Sequence, residues 1–600
     1  PPPQRTANMP LPDEHPAHEG ITRRRMLYGT AAVGAATLLP VRSARAAPGT
    51  GRKVAVLGGG MSGLAAAHEL AERGFDVTVF ERKALGGKAR SIPIEGTGKG
   101  GRKDLQGEHG FRFFPGFYRN VPDSMRRTPF PGNANGVHDN MFPLSSTRIA
   151  RNGGRSDIIV PELTGPGGGL SLDVLKETLT GLAEQAGALP ADELALFVNR
   201  FIVYVTSSEE RRLGQWENVT WWDYVRAEGK SEDYRAIVAR FLTRGLVAVK
   251  EKVASTKTVG AMGQAFLLSG IGLGADGGLA RMLNAPTNEA WIDPWVSYLR
   301  DRGVRFEVGQ TVEALEIASG RVRSVRLVDA AGRRRTAEAD WFVSAMPVER
   351  ARDLLSPAVL ALDPALESIK DLHTEWMNGL QFFLRRTPDG IPQEVNFMDS
   401  PWQLTAVLQS RLWDRDIPAD YGDGNVLDTL SLDISDWDTP GIVYGRPAKQ
   451  CSPAQVAKEA WAQMKDHLED TGRSVLPDDL VHSWFLDPAI SWDASAGRNS
   501  NDEPLMVNTV GSWQKRPHPR TEVPNLFLAG DYVRTSVDLA TMEGANESGR
   551  AAVNALLDAA DSPAERAQIW PLYQPPELDG LKEIDAHRFR TGRPNLFDTM

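Results

Sequence analysis

The chain of 600 residues contains one cysteine, Cys451, so no disulfide can form within it and no multi-cysteine metal site is available. Its ten histidines are scattered, with neither an H-E-x-x-H run nor a His–Cys cluster, and no metal centre is expected. A surplus of basic charge is also lacking. The formal net charge is −9, the wrong sign for a partner made of phosphates, so nucleic acid is excluded. No apolar run after residue 50 is long enough to span a bilayer, and any membrane contact is expected to be peripheral. There is no internal repeat. What remains, 41% hydrophobic and 24% charged residues, is the composition of a globular protein with material for several domains.

The first 50 residues differ in kind. Pro1–Gly20 is proline-rich and polar, a composition that does not pack. Thr22-Arg23-Arg24-Arg25-Met26-Leu27 then leads into a moderately apolar stretch, Gly29–Pro40, and into the small residues of Ala44-Arg45-Ala46-Ala47. This order reads as a twin-arginine-type export signal and predicts an extracytoplasmic location. The alternative is a basic extension on a cytoplasmic enzyme.

The most specific pattern is Val54-Ala55-Val56-Leu57-Gly58-Gly59-Gly60-Met61-Ser62-Gly63, followed by helix-forming Leu64–Leu70 and by Val77–Phe80 ending at Glu81. Strand, glycine turn, helix, strand and acid make a dinucleotide site. Gly58 permits the tight turn, Gly60 lets the backbone approach a diphosphate, and Gly63 lets the helix pack on the sheet. The helix start at Met61 and Ser62 holds the anion on free N–H groups, and Glu81, with Arg82 beside it, is placed for a ribose hydroxyl. A second glycine pair follows closely in Gly86-Gly87-Lys88-Ala89-Arg90, whose Lys88 and Arg90 are candidates for diphosphate or flavin contact. Near the far end of the chain, Asn525–Leu528 reads as a buried strand running into Ala529-Gly530-Asp531-Tyr532. Thr541-Met542-Glu543-Gly544 then opens a helix whose positive end suits an electron-rich ring edge. Asp531 is placed for a ribityl or ribose hydroxyl.

These segments resemble the flavin amine oxidase superfamily, most closely its phytoene and carotene desaturase branch. The stretch Glu108-His109-Gly110-Phe111-Arg112-Phe113-Phe114 is similar to that branch, and Leu283–Trp295 is similar to bacterial carotenoid-modifying desaturases and hydroxysqualene dehydroxylases. The resemblance spans roughly residues 52–558. It implies FAD as cofactor and an α/β fold, in which a Rossmann-type (GR2-like) FAD-binding domain interleaves with a mixed-sheet plus helical substrate domain. It also implies that Gly110, Phe111, Arg112 and Phe113 pass along the flavin ring and that Met542 and Ala89 lie against the cofactor. Val312 sits where the superfamily lays backbone against adenine, and it reads equally as a plain strand residue. One departure is clear: the aromatic-flanked Pro-Gly usual in amine oxidases is replaced by Arg534–Thr541.

The expected organisation places FAD-binding segments at 51–120, 301–350 and 516–560. A mainly helical substrate segment falls at 121–300, a second substrate segment at 351–515, and a Pro-rich charged tail at 561–600. Apolar spacing near 3.6 predicts helices over Leu172–Ala188 and Asp192–Thr206. Alternation predicts an antiparallel meander from Val304–Val308 through Thr311–Ile317 and Val322–Val328, with Gly332 in a turn. Gly379–Leu384 and Gly424–Leu427 read as strands, and Ser452-Pro453 as a helix start. Trp216, Trp221 and Trp222 are either core or the wall of an apolar tunnel, with at least two assigned to core.

The expected chemistry is hydride removal by FAD from an apolar, isoprenoid-like small molecule. The alternatives are an amine or amino-acid oxidase, which makes an imine and hydrogen peroxide, and a lipid-binding flavoprotein without turnover. The electron acceptor stays open among oxygen, a quinone and a carrier protein. His109, Arg112 and Glu543 are the ionisable candidates nearest the reactive ring. For His109 a proton shuttle and a structural histidine are both open, and for Glu543 both acid–base work and capping of a helix start.

Overall fold

The computed structural model describes residues 52–599 apart from 111, 145–146, 161–169, 187–188 and 246–247. The export signal and Phe111 therefore lie outside the described residues. The cofactor-binding half is built on a five-stranded sheet in the order Arg305–Val308, Asp76–Glu81, Lys53–Leu57, Trp341–Ser344, Leu526–Leu528. Every pairing is parallel, the order of a doubly wound nucleotide-binding sheet. Parallel strands need crossovers, and here the crossovers carry most of the protein. Hundreds of residues separate strands that are neighbours in space.

Both sheet faces are covered, as the apolar strands require. On one face lies the first helix, Met61–Glu72, with the closing helix Met542–Ala559 against it. Their approach is close: a Cβ at Gly549 would come within 2.5 Å of the Ser62 carbonyl. On the other face Leu57, Phe80 and Phe342 pack with Leu315, Val325 and Leu327 of a three-stranded antiparallel meander, Gln310–Ala318, Arg321–Asp329 and Arg334–Glu338. The expected first strand of that meander belongs elsewhere. Arg305–Val308 pairs in parallel with Asp76–Glu81 at the sheet edge, because the helix Asp293–Asp301 precedes it and a helical crossover returns a strand in parallel.

The second half joins a seven-stranded sheet to a set of helices. The sheet runs Val481–Leu486, Asn378–Leu384, Asp428–Ile434, Leu404–Leu408, Glu394–Phe397, Thr147–Ala150, Ile158–Val160. One face packs Leu380, Phe382, Val395, Leu404 and Leu432 on the helix Pro453–Leu468. That helix starts as expected, with Pro453 in its first turn and a reciprocal Ser452–Gln455 capping box. The expected strand at 424–427 is instead a turn. Gly424 has φ of +87°, the Asp423 carboxylate accepts the Asn425 N–H at 2.9 Å, and the strand begins at Asp428.

The opposite sheet face looks towards the helices Leu172–Ala186, Ala191–Val205 and Thr256–Gly270 and the π-helical segment Arg235–Gly245. Among the described residues no helix is long and apolar enough to cross a membrane.

Residues 561–599 are a packed strap rather than a tail. Their charged composition reads as solvated surface, but Asp585 is buried. It accepts hydrogen bonds from Arg211 Nε at 2.9 Å, Ser208 N at 2.8 Å and Asn595 Nδ2 at 2.9 Å. Removing one partner of a buried pair strands the other, at about 3–5 kcal/mol. Asp585→Ala is therefore expected to lower the unfolding free energy of the full chain by an amount of that size, read as a lower urea midpoint at unchanged slope. An unchanged midpoint would show that the strap contributes nothing to stability.

Candidate functional site

The strand Lys53–Leu57 ends at Gly58, whose φ of +110° and whose 2.7 Å separation between a built Cβ and the Ala345 carbonyl both demand glycine. A Cβ at Gly63 would fall 1.9 Å from the Gly58 carbonyl, so the third glycine is a packing requirement, as its place in the motif predicts. The first intrahelical bond joins Leu64 N–H to Gly60 O at 2.9 Å, which leaves the preceding N–H groups of the helix start without helical partners. Glu81 is fixed by the turn itself. Its Oε2 accepts the Gly59 N–H at 2.8 Å and its Oε1 the Lys83 N–H at 2.7 Å.

Opposite the first turn stands the second glycine pair. A Cβ on Gly87 would come within 2.9 Å of Gly60 Cα, so two bare backbone segments face each other across a cleft that side chains would fill. Gly58, Gly60, Met61 and Ser62 line this cleft, with Glu81 and Arg82 at one end and Gly87, Lys88 and Ala89 across from them. Val312 reaches it from the meander, and Gly530 and Asp531 from the last strand. Thr541 caps the closing helix by accepting the Gly544 N–H at 3.0 Å, and it presents Met542 to the same space. A dinucleotide fits these surfaces: a glycine cradle, an uncapped helix start, and an acid at each end.

The cleft opens without interruption into a chamber, and the whole cavity measures about 810 Å³. His109, Gly110, Arg112 and Phe113 are part of its wall. Much of the remaining wall is aromatic and aliphatic, with Phe117, Phe266, Phe201, Phe241 and Trp221 among its members. Phe117 meets Phe266 edge to face with centroids 5.1 Å apart, an attractive geometry for two rings.

A family profile described as flavin containing amine oxidoreductase matches residues 61–557. The chain belongs to that family. The oxidoreductase is 23% identical over 540 residues to a zeta-carotene desaturase of Synechocystis sp., covering 84% of this chain and 97% of that protein. It is 27% identical over 545 residues to a carotenoid phi-ring synthase of Streptomyces griseus, covering 87% and 91%. Among solved structures, a putrescine oxidase redesigned in its cofactor binding superposes with a TM-score of 0.55 at 12% identity, covering 84% of this chain and 99% of that one. At that identity the fold is what is shared.

Within the oxidoreductase, three described residues expected at the cofactor or the reacting atoms are absent from the cavity wall: Gly63, whose role is the packing described above, Glu543 and Arg90. Glu543 is fully buried, and its carboxyl accepts the N–H groups of Arg119 at 2.7 Å, Asn120 at 2.6 Å and Val121 at 2.9 Å. It caps the helix Asn120–Arg126, a segment distant in sequence, and does not reach the cavity wall. Burial pushes its carboxyl above the usual range, against those backbone donors. Arg90 turns back to the Gly87 carbonyl at 2.6 Å and to Glu503 at 3.3 Å, because a buried guanidinium needs a carboxylate more than it needs the cleft. Lys88 does reach the cavity but is paired with Glu349 at 2.9 Å. Burial alone would lower its pKa, and the carboxylates of Glu349 and Asp531 outweigh that and raise it.

Two buried carboxylates behind the site, Asp487 and Asp538, carried no motif. His109 Nδ1 lies 2.6 Å from Asp487 Oδ2. Burial works to raise the Asp487 carboxyl, but the His109 charge and hydrogen bond outweigh it and hold the group below its ordinary value. Asp538 sits within the Arg534–Thr541 stretch that replaces the amine-oxidase Pro-Gly. It is buried and binds Lys257 at 2.8 Å, Thr258 at 2.7 Å, Asn508 at 3.0 Å, and Arg516. That hub, rather than an aromatic turn, holds the loop before the closing helix.

Trp216 and Trp221 are both buried in the core, and Trp221 also reaches the chamber. Trp222 packs at the core edge beneath Lys252. Glu543→Ala is expected to cost about 1–3 kcal/mol for the donors it strands, measured by chemical unfolding, while Glu543→Gln retains flavin and turnover. Loss of turnover in a stable, flavin-loaded Glu543→Gln protein would restore a chemical role.

Proposed function

We propose that this flavin-dependent oxidoreductase uses FAD to take a hydride from an apolar, isoprenoid-like substrate, as a desaturase does. One observation carries the reading: a glycine-lined cleft and a largely hydrocarbon-lined chamber belong to a single cavity, whose wall includes His109, Gly110, Arg112 and Phe113. The carotenoid enzymes named among its relatives support the substrate class. When bound, FAD supplies the two-electron acceptor.

The chain supplies the rest. The helix start at Met61 and the facing backbones of Gly60 and Gly87 hold the diphosphate, Glu81 and Asp531 the hydroxyls, and Val312 the adenine. Gly110, Arg112, Phe113 and Met542 flank the ring. Phe117 and Phe266 orient a hydrocarbon chain and exclude water, which keeps a carbocation-like carbon from being trapped. Desaturation also removes a proton from the neighbouring carbon. His109 is the group placed to accept it. With Nδ1 directed to Asp487, Nε2 is left as the acceptor.

The purified full chain is expected to carry FAD and to show anaerobic flavin bleaching with polyprenoid hydrocarbons but not with amines or amino acids. The products should be lighter by two hydrogens in mass analysis. His109→Gln is expected to keep its FAD and bleach at least about 100-fold more slowly. Protein free of FAD, or bleaching by amines alone, would overturn the proposal.

A further inference from the structure

The chamber is not uniformly apolar. The strand Glu394–Phe397 alternates with period two. Val395 and Phe397 point into the core beneath the helix Pro453–Leu468, while Glu394 and Asn396 point into the cavity. The neighbouring strands continue the row. Thr147 pairs with Glu394, Thr405 with Asn396, and Asp433 with Thr405, and all of these side chains reach the cavity wall. They form a polar stripe across a sheet face that opposes Phe241, Phe266 and Met262.

The stripe is internally linked. The Thr147 hydroxyl donates to Glu394 Oε2 at 2.7 Å, the Asn396 amide to Glu394 Oε1 at 3.4 Å, and the Thr405 hydroxyl to Asn396 Oδ1 at 3.0 Å. Glu394 is only 5% exposed and Asn396 and Thr405 only 6%. These bonds fill part of the hydrogen-bonding capacity of a carboxyl and an amide. A hydrocarbon occupant would strip water from the remainder, at a cost of the order of a lost hydrogen bond for each group. An occupant with a matching oxygen avoids that cost.

The stripe also has a direction. Asp433 lies at the cofactor end, where a Cβ on Gly110 would come within 2.8 Å of its Oδ1. From there two strand spacings and one two-residue step lead to Glu394, about 12 Å away. Burial raises the Glu394 carboxyl above its ordinary value, with Thr147 and Asn396 opposing. Burial thus favours the protonated form of the carboxyl, the form that donates a hydrogen to an oxygen.

We propose that Thr147, Glu394, Asn396 and Thr405 form a subsite for a neutral oxygen function, a hydroxyl or a carbonyl, on an otherwise hydrocarbon substrate. The proposal rests on the apolar-substrate reading above and adds a recognised position on that substrate, remote from the reacting carbon.

The test uses the FAD-bound full chain under anaerobic conditions and follows the perturbation of flavin absorption. The probes are a polyprenyl alcohol, the hydrocarbon of the same length and the amine of the same length. The alcohol is expected to bind about tenfold more tightly than the hydrocarbon, the worth of one satisfied hydrogen bond. Glu394→Leu is expected to erase that preference, by removing the desolvation cost and so tightening hydrocarbon binding, and Glu394→Gln to keep most of it. Should Glu394→Leu fail to fold, Thr405→Val, nearly isosteric, is expected to reduce the preference by several-fold.

Equal binding of alcohol and hydrocarbon to the unaltered protein overturns the subsite. Tighter binding of the amine than of the alcohol overturns it as well and makes the stripe a cation site. Neither result touches FAD binding or hydrocarbon-driven bleaching. Absence of those two would defeat the functional reading instead.

Discussion

The Gly58 carbonyl occupies the space that any side chain at position 63 would need, and the geometry of the cofactor half follows from that contact. It sets the first helix directly on the strand turn, so the helix start points along the cleft instead of over it. The closing helix then approaches the first helix just as tightly at Gly549 and Ser62, which brings Met542 to the same cleft from the far end of the chain. Two backbone-to-backbone contacts thus fix the shape of the cleft proposed to hold the cofactor. Close-packed interiors transmit such constraints because they have no slack.

Around these contacts the protein buries an unusual amount of charge, and nearly all of it is answered. Arg90 has Glu503, Lys88 has Glu349, His109 has Asp487, and Asp538 gathers Lys257 and Arg516. Most of these pairs join segments distant in sequence. Such pairs add little net stability once desolvation is counted. Their contribution here is positional, because they bind the loops that carry the cavity wall to the rigid sheets. The replacement of an aromatic turn by the Asp538 hub is one instance, in which a polar knot holds the approach to the closing helix.

Much of the cofactor half was legible because its signals are local. The Gly58–Gly63 turn and the Gly530-Asp531 strand end each depend on residues within a few positions of one another, and Glu81 on a turn only 22 residues before it. The Ser452–Pro453 helix start was legible for the same reason. What was not legible depends on partners far along the chain. Glu543 looks like an acid at a helix start, and only the fold shows that it caps a helix more than 400 residues away. Arg305–Val308 alternates like any strand, and its parallel pairing follows from the crossover helix before it. Asp585 reads as surface charge until Arg211 is placed opposite. The Glu394–Asn396 alternation resembles the solvent face of an ordinary half-buried strand, and only the helices across the chamber turn that face inward.

The parallel sheet has a consequence for how the protein is made. Strand Lys53–Leu57 leaves the ribosome on the order of 470 residues before Leu526–Leu528, which completes one edge of the same sheet. At usual synthesis rates that interval is on the order of a minute. Throughout it, the glycine turn has no closing helix against it and Arg211 has no Asp585. The nascent protein therefore holds an unfinished sheet edge, an incomplete cleft and an unanswered cation at the same time, and the stretch from Leu526 to Asp585 resolves all three. Its sensitivity to truncation should be steep and to dilution slight, since the pieces that complete it are covalently tethered.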